Sequence, residues 1–231
     1  MIGILPAAGN ATRINGLPKY LLPIPNTYLL DWHVQGMLAS GCRRVFAGAN
    51  SQNAVLLDLY APNALVYTAR RHNTMTQTII SGYVQAIEEN YSNDLCLFGM
   101  PDTYWTDNSV YWRLAAQIKT GGHVAVALCP LRPNQYRSMG CVEVEGNQVT
   151  AVVDKPEWSI FSYGWGALAW TPPFWDYLRP DDPHVGYALP RAIEAGLDVR
   201  AVKMDGSYYD CGTPEGYFEC VQSFEVVEHG A

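Results

Sequence analysis

The chain has 231 residues, of which 48% are hydrophobic and 16% charged, and its formal net charge at pH 7 is -7. This length and apolar content suffice for one large folded domain with a buried core. The acidic balance argues against a nucleic-acid-binding surface, which requires a basic face, and the six cysteines show neither a CxxC pair nor zinc-ligand spacing.

The first third of the chain alternates between predicted strands and helices. Residues 2–5 form an apolar run that suits a buried strand, and Pro6 breaks this run into a loop of small residues. A helix ending near Ser40, a strand at 45–49, a short helix at 51–59 and a strand at 65–67 follow. This order predicts parallel, buried strands with a ligand-binding edge at their carboxyl ends.

The loop after the first strand contains Gly9, Arg13, Gly16 and Lys19. Glycine lets backbone N–H groups approach an anion closely, and the two cations can neutralise phosphate charge. The loop lacks the GK[ST] ending of a Walker A motif and does not read GxGxxG. From these residues alone, a phosphate site and an ordinary turn remain equal alternatives.

A helix is predicted from Thr74, with Gln77 and Gly82 in its first turns, and a strand is predicted at 95–99. Asp102 follows the end of this strand, at the edge where such folds bind ligands. An aspartate at this point is equally common in a plain turn. A helix at 109–119 and a strand at 124–129 complete this half.

The second half is predicted to begin with a hairpin, 141–144 paired with 148–153, that leads into Asp154 and Lys155. A strand at 164–170, helical segments at 174–178 and 187–195, a strand at 199–202 and a helix from 214 to about 227 follow. The uncharged run 158–175 approaches the length of a membrane span but contains glycines and prolines, so a buried strand with turns is predicted. We expect no membrane association, no signal peptide and a cytoplasmic location.

Several motifs resemble those of the sugar nucleotidyltransferases. PAAGNATR followed by LPKYLLPI is similar to the signature loop of this family, which usually reads AGGxGTRL, then PK, then LLP. MPDTYW, DKP and DCGTPE follow in the order that the family shows, and the resemblance extends from Gly3 to about Glu219. It implies an α/β chain with a single Rossmann-like three-layer αβα domain over residues 1–231, built on a predominantly parallel mixed sheet. Residues 1–129 would form the nucleotide-binding half and residues 130–231 the sugar-phosphate-binding half.

The resemblance also implies the reactants and the site residues. The enzyme would join a nucleoside triphosphate to a sugar 1-phosphate, with Arg13 and Lys19 as catalytic residues and Mg²⁺ held by Asp102 and Asp210. The implied nucleotide contacts are Leu5, Ala7, Ala8, Gly9, Asn10, Thr12, Arg13, Gln77, Gly82 and Asp102. The implied sugar-phosphate contacts are Gly140, Asp154, Lys155, Gly166 and Tyr208. The amide of Gln77 can pair with both a carbonyl and an N–H of a pyrimidine, which favours dTTP or UTP.

Two other interpretations remain open at this point. Transferases that share the first loop use non-sugar acceptors such as phosphocholine, although the DKP and GTPE motifs favour a sugar phosphate. The second interpretation is a catalytically silent nucleotide-binding module, which stays open because Ala8, Asn10 and Pro101 depart from the family motifs. Beyond the preference for dTTP or UTP, the base, the sugar and the oligomeric state, whether monomer or small homo-oligomer, are not predicted.

Overall fold

The computed structural model describes residues 1–9, 18–68, 74–133, 135–158 and 160–228, and for 225–228 the backbone only. Its helices are α1 (Leu29–Ala39), α2 (Ala54–Tyr60), α3 (Met75–Glu88), α4 (Val110–Thr120), α5 (Ala188–Glu194) and α6 (Pro214–Glu228). Its strands are β1 (Ile2–Pro6), β2 (Pro23–Ile24), β3 (Thr27–Tyr28), β4 (Arg44–Ala49), β5 (Leu65–Thr68), β6 (Cys96–Gly99), β7 (Thr103–Trp105), β8 (Val124–Pro130), β9 (Gly140–Glu145), β10 (Gln148–Asp154), β11 (Tyr163–Trp170), β12 (Val199–Lys203) and β13 (Tyr208–Asp210). The predicted α/β class is therefore confirmed. No helix within these ranges is long and apolar enough to cross a membrane.

The central sheet has nine strands in the order β5-β4-β1-β6-β11-β8-β12-β10-β9. The pairs β5–β4, β4–β1 and β1–β6 are parallel, as the βαβαβ pattern predicts. Strand β11 then enters antiparallel between β6 and β8, and β10 pairs antiparallel with both of its neighbours. Strand β12 pairs parallel with β8, and every antiparallel pair involves β10 or β11, so the sheet is mixed, with these two strands running against the others. The predicted nucleotide-binding and sugar-binding halves share this one sheet.

The alternation of side chains along each central strand divides the core into two clusters. In β1, Ile2 and Ile4 belong to one cluster and Leu5 to the other, all fully buried. In β8, the valines join Ile2 and Ile4, while Ala125 and Ala127 join Leu5. Because successive side chains point to opposite faces of a sheet, the two clusters lie on its two faces. Helices α1 and α4 contribute to the Leu5 cluster and α3 and α5 to the other, so helices cover both faces.

A second, two-stranded sheet, which the sequence did not predict, consists of β7 and β13. These strands pair antiparallel, with Tyr208 opposite Trp105 and Asp210 opposite Thr103. The rings of Trp105 and Tyr208 meet edge to face at 4.8 Å between centroids, and both side chains are buried. A Cβ on Gly166 of β11 would stand 2.4 Å from Cε2 of Tyr208 and 2.7 Å from Cζ2 of Trp105. The small sheet therefore packs against the central sheet at Gly166, and only glycine at this position leaves room for the two aromatic rings.

Candidate active site

The small sheet brings Asp102 and Asp210 together. Asp102 precedes Thr103, the first residue of β7, and Asp210 is the last residue of β13, directly opposite Thr103. The N–H of Cys211 donates to the carbonyl oxygen of Asp102 at 2.9 Å, which closes the strand ends against each other. The two predicted metal ligands, far apart along the chain, are consequently neighbours in space.

Lys19 converges on the same point. A Cβ built on Gly212 would lie 2.8 Å from Oδ1 of Asp210, 3.0 Å from Oδ2 of Asp102 and 3.2 Å from Nζ of Lys19. The Gly212 N–H also donates to Asp210 Oδ1 at 2.9 Å, which fixes the orientation of that carboxylate. Three of the charged side chains predicted for the site therefore surround one small space, which stays open because residue 212 has no side chain.

The electrostatics of this space suit a cation. Burial, followed by repulsion from Asp210, raises the pKa of the Asp102 carboxyl, and the charge of Lys19 opposes that rise. Lys19 Nζ lies 3.7 Å from Asp102 Oδ2, and the two side chains are 19% and 30% exposed, so an ion can still reach them. Carboxylate oxygens are ligands that Mg²⁺ prefers, and Mg²⁺ commonly takes one or two of them together with water and substrate phosphate. Within the described ranges no group of three His, Cys, Asp or Glu side chains could hold a metal, so substrate or water oxygens would have to complete the coordination.

Two asparagines hold the beginning of the first loop. The Nδ2 group of Asn53 donates to the carbonyl oxygen of Ala7 at 2.8 Å, and Nδ2 of Asn50 donates to that of Ala8 at 2.9 Å. Sequence analysis did not single out either residue, although both follow the end of β4, the parallel neighbour of β1. The sequence signal that could have identified them is their position just after a strand that runs parallel to β1, which places them at the same edge of the sheet as the loop. Asn50 and Asn53 thus anchor the loop from the side.

The predicted nucleotide contacts in this loop differ in accessibility. Leu5 is fully buried and Ala7 is 3% exposed, so only backbone atoms of these two residues could contact a ligand. Gly9 is exposed, and a Cβ there would meet none of the described residues within 4 Å. Asn10, Thr12 and Arg13 lie outside the described residues, so their predicted roles stay predictions.

Gln77 and Gly82 lie on α3 with different surroundings. Gln77 is half-buried in the first turn, where its N–H donates to Oγ1 of the capping residue Thr74 at 3.0 Å. Gly82 is buried, and a Cβ on it would stand 2.6 Å from the hydroxyl oxygen of Tyr67. The lack of a side chain at Gly82 therefore has a packing explanation, and its contact with a nucleotide stays a prediction.

The sugar-half residues Gly140 and Asp154 pair across β9 and β10. In β11, Ala167 lies opposite Gly99, the end of β6, so the residues that precede Ala167 extend past the carboxyl end of β6. Gly164 of that extension pairs with Cys141, the neighbour of Gly140. Gly140 and Asp154 therefore lie on the edge of the sheet that also carries Asp102.

Lys155 follows Asp154 in a left-handed conformation, with φ of 44°, and its N–H donates to the carbonyl oxygen of Met139 at 3.1 Å. This unusual backbone conformation turns the chain sharply at the end of β10. The Lys155 side chain is exposed, as a phosphate-binding cation would have to be. The contact of Lys155 with a sugar phosphate stays a prediction.

Gly166 and Tyr208, both predicted to bind the sugar, serve packing in the structure. Gly166 receives the Trp105 and Tyr208 rings, and Tyr208 is only 4% exposed. Gly140 is similar, since a Cβ there would stand 2.1 Å from Nε1 of the buried Trp165. Each of these residues shapes the site by close approach, whether or not it touches a substrate.

The fold and this site define a nucleotidyltransferase. The family model of the MobA-like NTP transferase domain matches residues 3–165, well over half of the chain, and the chain belongs to that family. The predicted relationship to the nucleotidyltransferases is therefore confirmed. A sequence comparison with curated proteins gives no match.

Solved structures of sugar-nucleotide pyrophosphorylases share the fold. A UDP-glucose pyrophosphorylase complexed with UDP-glucose has a TM-score of 0.79 at 18% identity, over 97% of this chain and 98% of that one. A UTP-bound UGPase from Acinetobacter baumannii has a TM-score of 0.75 at 16% identity, over 96% and 92% of the two chains. A putative glucose-1-phosphate thymidylyltransferase from Bacillus anthracis, in complex with a sucrose, has a TM-score of 0.79 at 14% identity, over 96% and 94%.

Proposed function

We propose that the protein transfers a nucleotidyl group from a nucleoside triphosphate to a sugar 1-phosphate, giving a nucleoside-diphosphate sugar and pyrophosphate. The observation that carries this proposal is the convergence of Lys19, Asp102 and Asp210 around Gly212. Lys155 follows a strand end on the same edge of the sheet, which suits a second anionic substrate. The membership in an NTP transferase family and the pyrophosphorylase-like fold support the same reaction.

The chemistry is an in-line displacement at the α-phosphorus. An oxygen of the sugar phosphate forms the new P–O bond, the bond to the β-phosphate bridge breaks, and its electron pair leaves with pyrophosphate. The attacking phosphate monoester is already largely ionised near pH 7, because its second pKa is about 6, so no general base is required. The mutual repulsion of the two polyanions is the barrier that the protein has to lower.

Each charged residue would offset part of the charge repulsion between the two substrates. Mg²⁺, held by Asp102 and Asp210, would neutralise charge on the triphosphate oxygens. Lys19 would bind the α-phosphate or the attacking phosphate, Arg13 the triphosphate and Lys155 the sugar phosphate. We also propose that the fold around these residues is of the Rossmann-like three-layer type.

UTP or dTTP is the nucleotide that we propose, since the amide of Gln77 can satisfy both a carbonyl and an N–H of a uracil or thymine. Of the structurally similar proteins, one is complexed with UDP-glucose, one is bound to UTP, and a third is a putative glucose-1-phosphate thymidylyltransferase. Glucose 1-phosphate is therefore the first acceptor to test, followed by other sugar 1-phosphates and by phosphocholine.

Lys19→Ala and Asp210→Ala test the proposal in a pyrophosphate-release assay with UTP or dTTP and glucose 1-phosphate. The loss of one preorganised electrostatic contact to a transition state costs about 3 kcal/mol, so we expect turnover to fall about a hundredfold or more in each variant. Lys119→Ala, an exposed lysine in the last turn of α4, is the matched control and should keep wild-type turnover. Wild-type rates in both site variants would refute the assignment, and product formation only with phosphocholine would replace the sugar phosphate as acceptor.

A further inference from the structure

Hydrogen bonds join residues 180–187, which lie in the predicted sugar-phosphate-binding half, to the predicted nucleotide-binding half. The Pro180 carbonyl oxygen accepts a hydrogen bond from Thr74 Oγ1 at 2.7 Å, and the Pro183 carbonyl oxygen accepts one from the Met75 N–H at 3.1 Å. Thr74 caps α3, and Met75, its first residue, lies two residues before Gln77. The segment is therefore fixed to the helix that carries the predicted base contact.

From this anchored segment, His184 reaches the carboxylate of Asp154. Its Nδ1 accepts a hydrogen bond from the Gly186 N–H at 3.2 Å, so the ring proton resides on Nε2, which lies 3.2 Å from Asp154 Oδ1. Burial lowers the pKa of His184, although Asp154 opposes the shift, and the ring is neutral at pH 7. The neutral imidazole therefore lies against the carboxylate with its N–H nitrogen and does not neutralise its charge.

The His184 ring is held in place by its surroundings. Its centroid lies 5.9 Å from that of Trp165 and 4.9 Å from that of Tyr187. A Cβ on Gly186 would stand 3.0 Å from ring atoms of His184 and 2.4 Å from Cζ2 of Trp165, so the backbone comes close to both rings. With its side chain 15% exposed, His184 has little freedom to adopt another rotamer.

Tyr187 supplies a hydrogen-bond donor. Its hydroxyl group donates to Asp154 Oδ2 at 3.3 Å, so this segment contacts both oxygens of the carboxylate, Oδ2 through this hydrogen bond and Oδ1 through the 3.2 Å approach of His184 Nε2. Oδ1 is buried and has no hydrogen-bond partner among the described residues, whereas Oδ2 can accept a further hydrogen bond, and the Asp154 side chain as a whole is 22% exposed. A negative group with free acceptor capacity binds hydroxyl groups and repels phosphate. Lys155, the next residue, has the opposite preference.

We infer that His184 and Tyr187 are positioning residues that orient Asp154 to accept hydrogen bonds from the hydroxyl groups of the sugar, beside Lys155 on its phosphate. This inference rests on the proposed function. It makes the acceptor a polyhydroxylated phosphate that is recognised by the Asp154 carboxylate, whose Oδ2 accepts a hydrogen bond from Tyr187 and whose Oδ1 is contacted by His184. Sequence analysis did not single out His184 or Tyr187, because their contact with Asp154 depends on how the 180–187 segment folds back over β10.

Tyr187→Phe is the sharpest test, because it removes one donor and keeps a ring that is 39% exposed. We expect KM for glucose 1-phosphate to rise about tenfold, since a hydrogen bond to a charged group contributes this much, while KM for the nucleotide and kcat stay near wild type. His184→Gln should raise the same KM. Tyr177→Phe changes a tyrosine of the same half that forms no hydrogen bond with Asp154 among the described residues, and it should leave the KM values of both substrates unchanged. A purely structural role would alter the parameters of both substrates.

Deoxy analogues of the sugar phosphate add a second readout. For the analogue that lacks the hydroxyl bound by Asp154, wild type and Tyr187→Phe should have the same KM, because the contact that the tyrosine supports is already absent. An unchanged KM for the sugar phosphate in both Tyr187→Phe and His184→Gln, with an active wild type, overturns this inference alone. Absence of pyrophosphate release from wild type with every sugar phosphate overturns the proposed function, and this inference with it.

Discussion

Gly212 leaves the central space of the candidate site open. Its φ is not in the left-handed region, so alanine can adopt the same backbone conformation, but the added methyl group would contact Asp102, Asp210 and Lys19. We expect Gly212→Ala to lower turnover about a hundredfold, because displacements near 1 Å have this effect on catalytic groups. The midpoint of thermal unfolding should stay close to that of wild type. Wild-type turnover measured by pyrophosphate release would contradict the assignment of this space to the reactants.

The charged carboxylate of Asp102 lowers the stability of the native state, and a bound cation should relieve this effect. Its raised pKa means that the charged carboxylate destabilises the native state above that pKa, and that protonation removes the cost as the pH falls. Mg²⁺ should therefore raise the free energy of unfolding of wild type near pH 7 by about 2.7 kcal/mol at 100 times its Kd, and the thermal midpoint should rise with it. Below the raised pKa of Asp102 this gain should disappear, because a protonated carboxyl is a poor ligand.

Asp102→Asn is the matched variant for this effect. Without metal it should be at least as stable as wild type at pH 7, because the repulsion with Asp210 is removed. It should also gain no stability from Mg²⁺ while losing turnover. An equal Mg²⁺ shift in wild type and variant, measured by thermal unfolding, would show that the ion binds elsewhere.

At the level of elements, the β7–β13 sheet positions the two aspartates, and Gly166 positions that sheet. Gly166→Ala would insert a methyl group 2.4 Å from Tyr208 and 2.7 Å from Trp105. Overpacking of this kind costs about 1–3 kcal/mol, and the strained sheet would also displace Asp210. We therefore expect Gly166→Ala to lower both the free energy of unfolding in urea and the turnover, whereas Gly212→Ala lowers turnover alone. Unchanged stability of Gly166→Ala would mean that the small sheet is not seated on this glycine.

The elements of the central sheet could be predicted from local patterns. Apolar runs identify β1, β4, β6 and β8, and helical spacing identifies α3 and α4. Strands β7 and β13, three residues each, were not predicted, because strands this short form only when a partner from elsewhere in the chain pairs with them. The antiparallel entry of β11 was missed for the same reason, since strand direction within a sheet is a tertiary property.

At the level of the whole molecule, His33 joins helices α1 and α4 to the small sheet. Its Nε2 bonds the Thr103 carbonyl oxygen at 2.9 Å and its Nδ1 bonds the hydroxyl of Tyr111. Complete burial lowers the pKa of His33 from 6.5 to about 4, so the native protein holds it neutral. Between these values the unfolded chain binds a proton that the native state does not, and stability falls as the pH falls.

The free energy of unfolding of wild type should thus decrease by about 3 kcal/mol between pH 6.5 and pH 4 through His33. The lowered pKa of His184 adds a change of the same sign, the raised pKa of Asp102 adds one of opposite sign, and Asp94, paired with Arg43 and the N-terminus, contributes only at lower pH. His33→Gln should be less stable at pH 7 but show a smaller slope over this range. Urea unfolding across the range measures both, and equal slopes would rule out His33 as the source.

The sequence by itself determined the α/β class, the order of most elements and the relationship to the nucleotidyltransferases, and it predicted the charged residues of the candidate site. It could do so because apolar periodicity, turn residues and short motifs depend on neighbours along the chain. Only the tertiary structure decided that Asp102, Asp210 and Lys19 share one space around Gly212, that Gly166 serves packing, and that His184 and Tyr187 contact Asp154. These facts depend on strand pairing and side-chain contacts between distant segments, whose free energies arise only when the whole core is assembled.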